Sequence, residues 1–296
     1  MSLPPSVPPV SPSDSLPHSQ SKSSADSPSP SPIVTAINIY PIKSCRGISV
    51  QSAELTPWGL QWDRQWMIVT PEGEFITQRT LPELALIEPV ITAESLYLMA
   101  PGQRDFQVPL QQSDPGKSMQ VTVWGDRCQA IDQGDAVAAW FSRALGTPAR
   151  LVRIGTGYDR PVDAKYDRGT TAQVSFADSY PLLLISEASL EDLNQRLDEP
   201  LPMNRFRPNL VVSGCSAYAE DEWQQIQIAD VLLDVVKPCT RCIITTTDQE
   251  TTDRGKEPLA TLSTYRRWKN GVIFGQNLIH RSRGTLAVGN AVQILS

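Results

Sequence analysis

Cys242 stands directly after Thr240 and Arg241 in the run KPCTRCIITTTD, which begins at Lys237. A thiolate is a soft donor that recruits a high-valent, soft-tolerant metal. A guanidinium fork grips phosphate or the polar edge of a planar ring. Side by side, the two suit a bound anionic metal cofactor better than a structural role. Other readings stay open at this point. With Cys239 the residue forms a CxxC, half of a zinc knuckle, but the chain has no second CxxC and no His pair to complete four ligands. The pair could also be a dithiol couple, although the β-branched ITTT that follows reads as strand and not as the helix start such couples use. The plainest alternative is a buried, inert cysteine.

Further polar residues fall where the chain should leave a strand. Lys43 and Ser44 follow IVTAINIYPI, and an ammonium, a hydroxyl and nearby backbone N–H groups suit a phosphate terminus. An isolated Lys–Ser pair says little by itself. Arg207 and Asn209, in FRPN, precede LVVSG. Alternate residues of an extended chain share a side, so both could face one planar polar ligand, or the arginine could bond loop carbonyls. Arg64, in WDRQW, could form a surface ion pair with Asp63, which would contribute little. Asp248, Glu250, Asp253 and Glu257 follow Cys242 closely and could relay protons, though such a polar run is more often a solvated loop. The chain has two histidines, His18 and His280, a scarcity that excludes Ser–His–Asp triads and His-rich zinc sites.

The run from Lys237 to Arg267 resembles the MOSC domain family. YPIKSCRGISVQSAELTPWGLQWDRQWMIV, Tyr40 to Val69, resembles the N-terminal β-rich domain that precedes MOSC in members such as the amidoxime-reducing component of mitochondria and its bacterial relatives. The two domains would cover nearly everything after residue 33. The resemblance implies a molybdopterin cofactor, with molybdenum held by a pterin dithiolene and one protein cysteine. In the family that cysteine directly precedes an apolar-Thr-Thr run, which makes Cys242 the metal ligand and catalytic residue and leaves Cys239 a bystander. Thr240 and Arg241 occupy cofactor-contact positions, Thr240 keeping the hydroxyl of a family Ser. YPIKSC places Lys43 and Ser44 at such positions and WDRQW places Arg64. The Arg207–Asn209 pair would face the pterin. Two positions depart from the mitochondrial pattern. Ser179–Tyr180 replace a Thr–Ser pair before PLLLISE, and Asn277 replaces a Tyr after FGQ. Ser179 keeps a hydroxyl, Tyr180 offers its backbone N–H, and Asn277 still donates and accepts.

The activity this implies is reduction of N-hydroxylated compounds, such as amidoximes and hydroxylamines, with Lys43, Arg64, Arg207 and Arg241 neutralising the anionic cofactor. Electrons would come from a separate ferredoxin- or cytochrome b5-type donor with its reductase, since no four-cysteine iron–sulfur module follows before Ser296. The same residues would also serve a molybdenum-cofactor carrier without turnover. A Cys242 persulfide that transfers sulfur is a third expectation, weakened by the lack of a pyridoxal-phosphate-binding aminotransferase domain.

The elements that must position these residues read as a β-rich α+β fold. At 296 residues there is length for two domains. A net charge of −6 argues against a nucleic-acid partner. No apolar run approaches the roughly 18 residues of a membrane span, so no membrane partner is expected. The five scattered cysteines without a secretory signal point to the cytoplasm. Residues 1–32, rich in Ser and Pro, cannot bury enough surface to order and should be disordered. A β-barrel-like domain is expected over 33–154, with strands at Ile33–Ile42, Ile48–Leu55, Trp66–Val69, Phe75–Gln78, Leu84–Ile91, Met119–Val123 and Ala149–Ile154. A helix is expected over Asp135–Leu145, stopped by Gly146. Residues 155–172 read as a linker or site-edge loop. A second barrel, the MOSC domain, should occupy 173–296. Its elements are the strand PLLLIS, a helix capped by Ser186 with Leu190, Leu193 and Leu197 inward, strands in NLVVSG, IQIADVLLDVV, CIITTTD, VIFGQNLI and AVQIL, and a short helix near Leu259–Arg266.

Overall fold

Val34, Ile37 and Ile39 are buried at alternating or near-alternating positions of the strand Ile33–Ile39, so one face of it packs on the core while both backbone edges pair. One edge pairs antiparallel with Leu210–Ser213, the other with Ile48–Val50. It thereby joins a nine-stranded sheet that continues through Leu182–Ser186, Gly271–His280, Val231–Arg241 and Gln225–Ile228 to Val292–Ile294, with Arg267–Trp268 beside Gly271–His280. Every pairing on this path is antiparallel except that of Leu182–Ser186 with Leu210–Ser213. The sheet curls until its ends meet, where Val34 donates to the Asn290 carbonyl, Gly289 to the Val34 carbonyl and Val292 to the Pro32 carbonyl. Leu184, Leu210, Ile226, Leu233, Leu278 and Val292 fill the interior. The computed structural model describes residues 31–111, 116–167, 169, 172–269 and 271–296, and the expected disordered stretch up to residue 30 lies outside the described residues. Ser31–Ser296 form one compact unit. Pro32, placed in the tail by its composition, is buried against the sheet because its carbonyl completes the barrel closure.

A second sheet, ordered Trp66–Val69, Arg150–Ile154, Asp126–Asp132, Ser118–Val123, is antiparallel throughout. The helix Asp135–Leu145 lays Val137, Trp140 and Phe141 on it and ends at Gly146 in the left-handed conformation. Ser186 caps Glu187–Asn194, its hydroxyl accepting from the Ser189 N–H, and Leu259–Tyr265 forms the last helix. Three expectations differ. Leu84–Ile91 divides into a 3₁₀ turn, Pro82–Leu86, and a strand, Glu88–Ile91, because proline starts a turn more readily than it continues a strand. Phe75–Gln78 makes only an isolated bridge to Val69 at Phe75. The CIITTTD run is a 3₁₀ turn, Ile243–Thr246, in which Thr245 Oγ1 and Thr246 Oγ1 donate to the carbonyls three residues back, so local side-chain bonds override β propensity.

Candidate functional site

Strand Val231–Arg241 passes through Pro238 because the ladder with Gly271–His280 shifts register on either side of it, between Val235 and Lys237 and between Pro238 and Thr240. Proline without an N–H is tolerated at such bulges, and bulges re-aim the side chains that follow. The strand therefore ends with Cys239, Thr240, Arg241 and Cys242 on the wall of a pocket. Gly271 makes room for this wall, since a Cβ there would lie 2.4 Å from Thr240 Cγ2.

Four other segments close the pocket at the same end of the sheet. They are the turn after Ile33–Ile39 with Lys43 and Ser44, the Arg64 turn, the 177–183 segment entering Leu182–Ser186, and Phe206–Asn209 entering Leu210–Ser213. Asn277, across the ladder from Lys237, completes it. The residues selected through the family resemblance all line this one pocket: Lys43, Ser44, Arg64, Ser179, Tyr180, Arg207, Asn209, Thr240, Arg241, Cys242 and Asn277. Three of them hold left-handed backbone conformations, Ser44 with φ 68°, Arg64 with 48° and Arg207 with 55°. Such strain costs on the order of 1–3 kcal/mol per residue and persists where surrounding structure or function demands it.

The charges are unevenly matched. Arg64 donates to both oxygens of Asp63, at 2.9 and 2.7 Å, and to Asn209 Oδ1 at 3.1 Å. The alternative of an ion pair with Asp63 is thus realised, but with a buried carboxylate that also accepts the Tyr40 N–H. Arg64 thus lines the pocket while sharing its charge with a carboxylate whose pKa burial pushes up and Arg64 pulls down. Arg207 is different. Its guanidinium and that of Arg64 each lie 4.2 Å from the Tyr40 ring centre, and its buried Nη2 has no partner. Burial pulls its pKa down to about 10. Arg241 spends its Nη atoms on Cys239 Sγ at 3.0 Å and the Phe206 carbonyl, leaving Nε buried and unpartnered. A buried guanidinium N–H without an acceptor costs free energy that an anionic ligand would offset.

Lys43 is buried, donates to the Phe176 carbonyl at 2.8 Å and pairs with Asp178. Burial lowers its pKa to about 8, with Asp178 pulling the other way. Asp178 is exposed, and Lys43, the Trp124 N–H and Arg79 together hold its carboxyl well below the usual range. Tyr180 packs its ring against Tyr166 in a small apolar cluster. Asn277 Nδ2 bonds the Lys237 carbonyl at 3.2 Å, across the same bulge.

Sequence reasoning missed Asp178, Arg79 and Arg160. Arg79 Nη2 donates to Cys242 Sγ at 3.2 Å and its Nη1 is buried without a partner. Arg160 is buried and its guanidinium donates to the carbonyls of Ser175, Ala177 and Asp178, fixing the segment that carries Asp178–Tyr180. Arg160, within the expected linker, therefore lies beneath the edge of the site. Asp178 could have been found as the neighbour of Ser179. Nothing in the pattern around Arg79 reveals its role. The carboxylates after Cys242 do not line the pocket. Asp248 instead pairs with Arg205 and accepts the N–H groups of Glu250 and Thr251, which makes it a turn-former.

Among the described residues no three His, Cys, Asp or Glu side chains gather to hold a metal. A metal at Cys242 would thus have at most two such protein ligands and bring its remaining ligands with it. Unpartnered guanidinium atoms, a buried ammonium and one half-buried thiol form a donor set that fits an anionic, metal-bearing group.

Two family models match the chain, the MOSC N-terminal beta barrel domain over residues 31–148 and the MOSC domain over residues 171–293. The sequence is 39% identical over 280 residues to mitochondrial amidoxime-reducing component 1 of Mus musculus, spanning 88% of this chain and 82% of that protein. It is 40% identical over 280 residues to mitochondrial amidoxime reducing component 2 of Rattus norvegicus, with the same coverage of each. Molybdenum cofactor sulfurase of Oryza sativa subsp. japonica is 39% identical over 264 residues, a match that spans 81% of this chain but 31% of that longer protein.

Proposed function

Because the chain belongs to the MOSC domain family and carries the family's N-terminal β-barrel domain, we propose that it binds a molybdenum–pterin cofactor beside Cys242 and acts as an oxidoreductase on N-hydroxylated small molecules. The observation that carries this reading is that Cys242, Arg207 and Arg241 line one pocket, and that each of the two arginines has a buried guanidinium nitrogen without a partner. Bound there, such a group supplies two-electron chemistry that removes oxygen from nitrogen.

The chain's own residues divide the remaining work. Cys242 is the thiolate ligand, and Arg79 holds its sulfur in place through the Nη2 hydrogen bond. Arg207, Arg241 and Lys43 supply positive charge to the anion, while Thr240, Ser44, Ser179, Asn209 and Asn277 offer neutral donors and acceptors around it. Arg64, already paired with Asp63, orients Asn209. Loss of oxygen as water consumes protons, and the Lys43 ammonium, its pKa depressed to about 8, is a donor for one, with Asp178 remaining its ionised counter-charge. The amidoxime-reducing relatives supply the substrate class. A separate ferredoxin- or cytochrome b5-type donor with its reductase is the proposed electron source, and the cytoplasm the proposed location. No helix among the described residues is long and apolar enough to cross a membrane.

The test is the molybdenum-to-protein ratio of wild type and Cys242→Ser, both expressed in a host that makes the cofactor. About one metal per wild-type chain, lost or inactive in the variant, supports the reading. Metal without turnover of any N-hydroxylated compound turns it into a carrier. No metal, with a persulfide on Cys242, moves the protein to sulfur transfer.

A further inference from the structure

Trp124 and Gly125 form the two-residue connection between Ser118–Val123 and Asp126–Asp132, whose register closes on the pair Val123–Asp126. Both have positive φ, 55° and 91°, the signature of a type I′ hairpin. Its first position strongly prefers Asn, Asp or Gly. A bulky aromatic residue there is an outlier, and an outlier of this kind points toward function.

The indole is the reason the strain is informative. It is 45% exposed yet firmly held. Its Nε1 donates to Asp178 Oδ1 at 3.0 Å, and its ring meets Phe75 edge-on with centres 4.9 Å apart. The Arg79 guanidinium lies 4.2 Å from the ring centre, and the same guanidinium donates to Cys242 Sγ at 3.2 Å. Arg79 is thus clamped between an indole and the sulfur, and Asp178 joins the indole to the pocket wall. Nearly half of the indole remains open, and only the Arg79 guanidinium separates it from the Cys242 sulfur. A flat ring held rigid with its surface uncovered is suited to stack another flat ring.

We propose that Trp124 is a specificity-determining residue of this site: its open face receives the planar aromatic body of the substrate and thereby presents the substrate's N-hydroxyl group to Cys242. The assignment rests on the proposed N-hydroxylated substrate class and narrows it to aromatic members. The contact is made before any bond changes, so binding tests it apart from turnover.

The experiment measures binding of benzamidoxime and acetamidoxime to the molybdenum-loaded protein by calorimetry, with no electron donor present. Wild type is compared with Trp124→Ala, Trp124→Phe and Trp124→Asn. Asn suits the left-handed turn position, so that variant keeps the hairpin while removing the ring. The expected result is a loss of about tenfold in benzamidoxime affinity for the Ala and Asn variants, the size of an aromatic pairing. Phe should retain most of the affinity, and acetamidoxime binding should stay unchanged throughout. Equal losses for both ligands, unchanged benzamidoxime affinity, or a wild type that does not bind benzamidoxime would each overturn the assignment. Selective binding without turnover once a donor is added would leave Trp124 in its role and reject the proposed reaction instead.

Discussion

Arg79 and Cys242 lie 163 residues apart in the chain, yet Arg79 Nη2 reaches the Cys242 sulfur at 3.2 Å. The contact is kept by three loops bound to one another. Gln78 and Gln249 exchange both amide hydrogen bonds at 3.0 Å, Gln78 Nε2 also donates to the Ser44 carbonyl at 2.7 Å, and Arg254 donates to the carbonyls of Gln78 and Arg79. The Lys43–Ser44 turn, the Arg79 turn and the segment after Cys242 therefore move as one piece.

Arg79→Ala should leave molybdenum content near that of wild type and lower turnover about ten- to a hundredfold. That range corresponds to a hydrogen bond involving a charged group, worth roughly 1.5–3 kcal/mol. Arg79→Lys keeps the charge but not the flat stack on Trp124 or the fork geometry, so it should recover only part of the rate. Steady-state rates normalised to metal content check this. Full activity in the alanine variant would show the contact to be incidental.

Breaking the amide exchange should be felt as instability. Gln249→Leu strands the buried Gln78 carbonyl oxygen and should cost about 1–3 kcal/mol, read as a drop of several degrees in Tm. Gln78→Leu combined with Gln249→Leu should cost less than the two single losses added together, because neither change then strands the other's partner. Additive losses in the double variant would rule out the coupling.

Arg207 should show the opposite sign. Its buried Nη2 has no acceptor and its backbone is left-handed, so the empty protein carries a cost that a ligand relieves. Arg207→Gly is expected to raise the Tm of cofactor-free protein, by roughly 1 kcal/mol of stability, while lowering cofactor retention about tenfold or more. Thermal melts of cofactor-free protein and metal content after gel filtration report the two effects separately. A variant that is less stable and binds equally well would contradict both halves.

Lys43 gives the site a pH dependence. Burial brings its pKa down to about 8 from 10.5. The ammonium is charged below that pH and counts toward holding an anion, and it becomes neutral as pH rises through 8. Phosphate binding to the cofactor-free pocket should therefore weaken above pH 8, by up to tenfold per unit. For folding the sign reverses. Between pH 8 and 10.5 the unfolded chain holds a proton that the folded chain has released, so this group's contribution to stability grows with pH. Lys43→Met should flatten both profiles. Calorimetric titrations and melts from pH 7 to 10 measure them.

The strands and the Asp135–Leu145 helix were legible because their apolar spacing is local and regular. The pocket members were legible through the resemblance of short motifs to one family, since an isolated pair such as Lys43–Ser44 says little by itself. Arg79 was not, since its partners, Cys242 and Trp124, are set by how distant loops interlock and leave no mark on TQRT. Asp178 escaped for a related reason. Its pairing with Lys43 depends on Arg160 holding the carbonyls of the segment beneath it. The Thr245–Thr246 turn was misread because β-branched residues favour strands on average, and only the three-dimensional setting shows their hydroxyls bonding back to the chain. The Arg64–Asp63 pair was legible as an alternative, but nothing in WDRQW says that Asp63 is buried.

The close approach of Gly271 to Thr240 offers a final test of how the wall carrying Cys242 is positioned. Gly271 does not use a left-handed conformation, so alanine there meets a purely steric obstacle. The new Cβ would lie 2.4 Å from Thr240 Cγ2, while the next atoms, Thr240 Oγ1 and Cβ, are 3.5 and 3.6 Å away. Threonine is stiff at χ1 and holds that methyl in place. Gly271→Ala should therefore push the end of Val231–Arg241 outward, costing about 1–3 kcal/mol and lowering metal retention by displacing Cys242. Thr240→Ser deletes the offending methyl and keeps the hydroxyl. The double variant Gly271→Ala, Thr240→Ser should then regain wild-type Tm and metal content, with Thr240→Ser alone nearly silent. If the serine fails to rescue, the glycine is required for something other than this contact, and the placement of Cys242 does not depend on it.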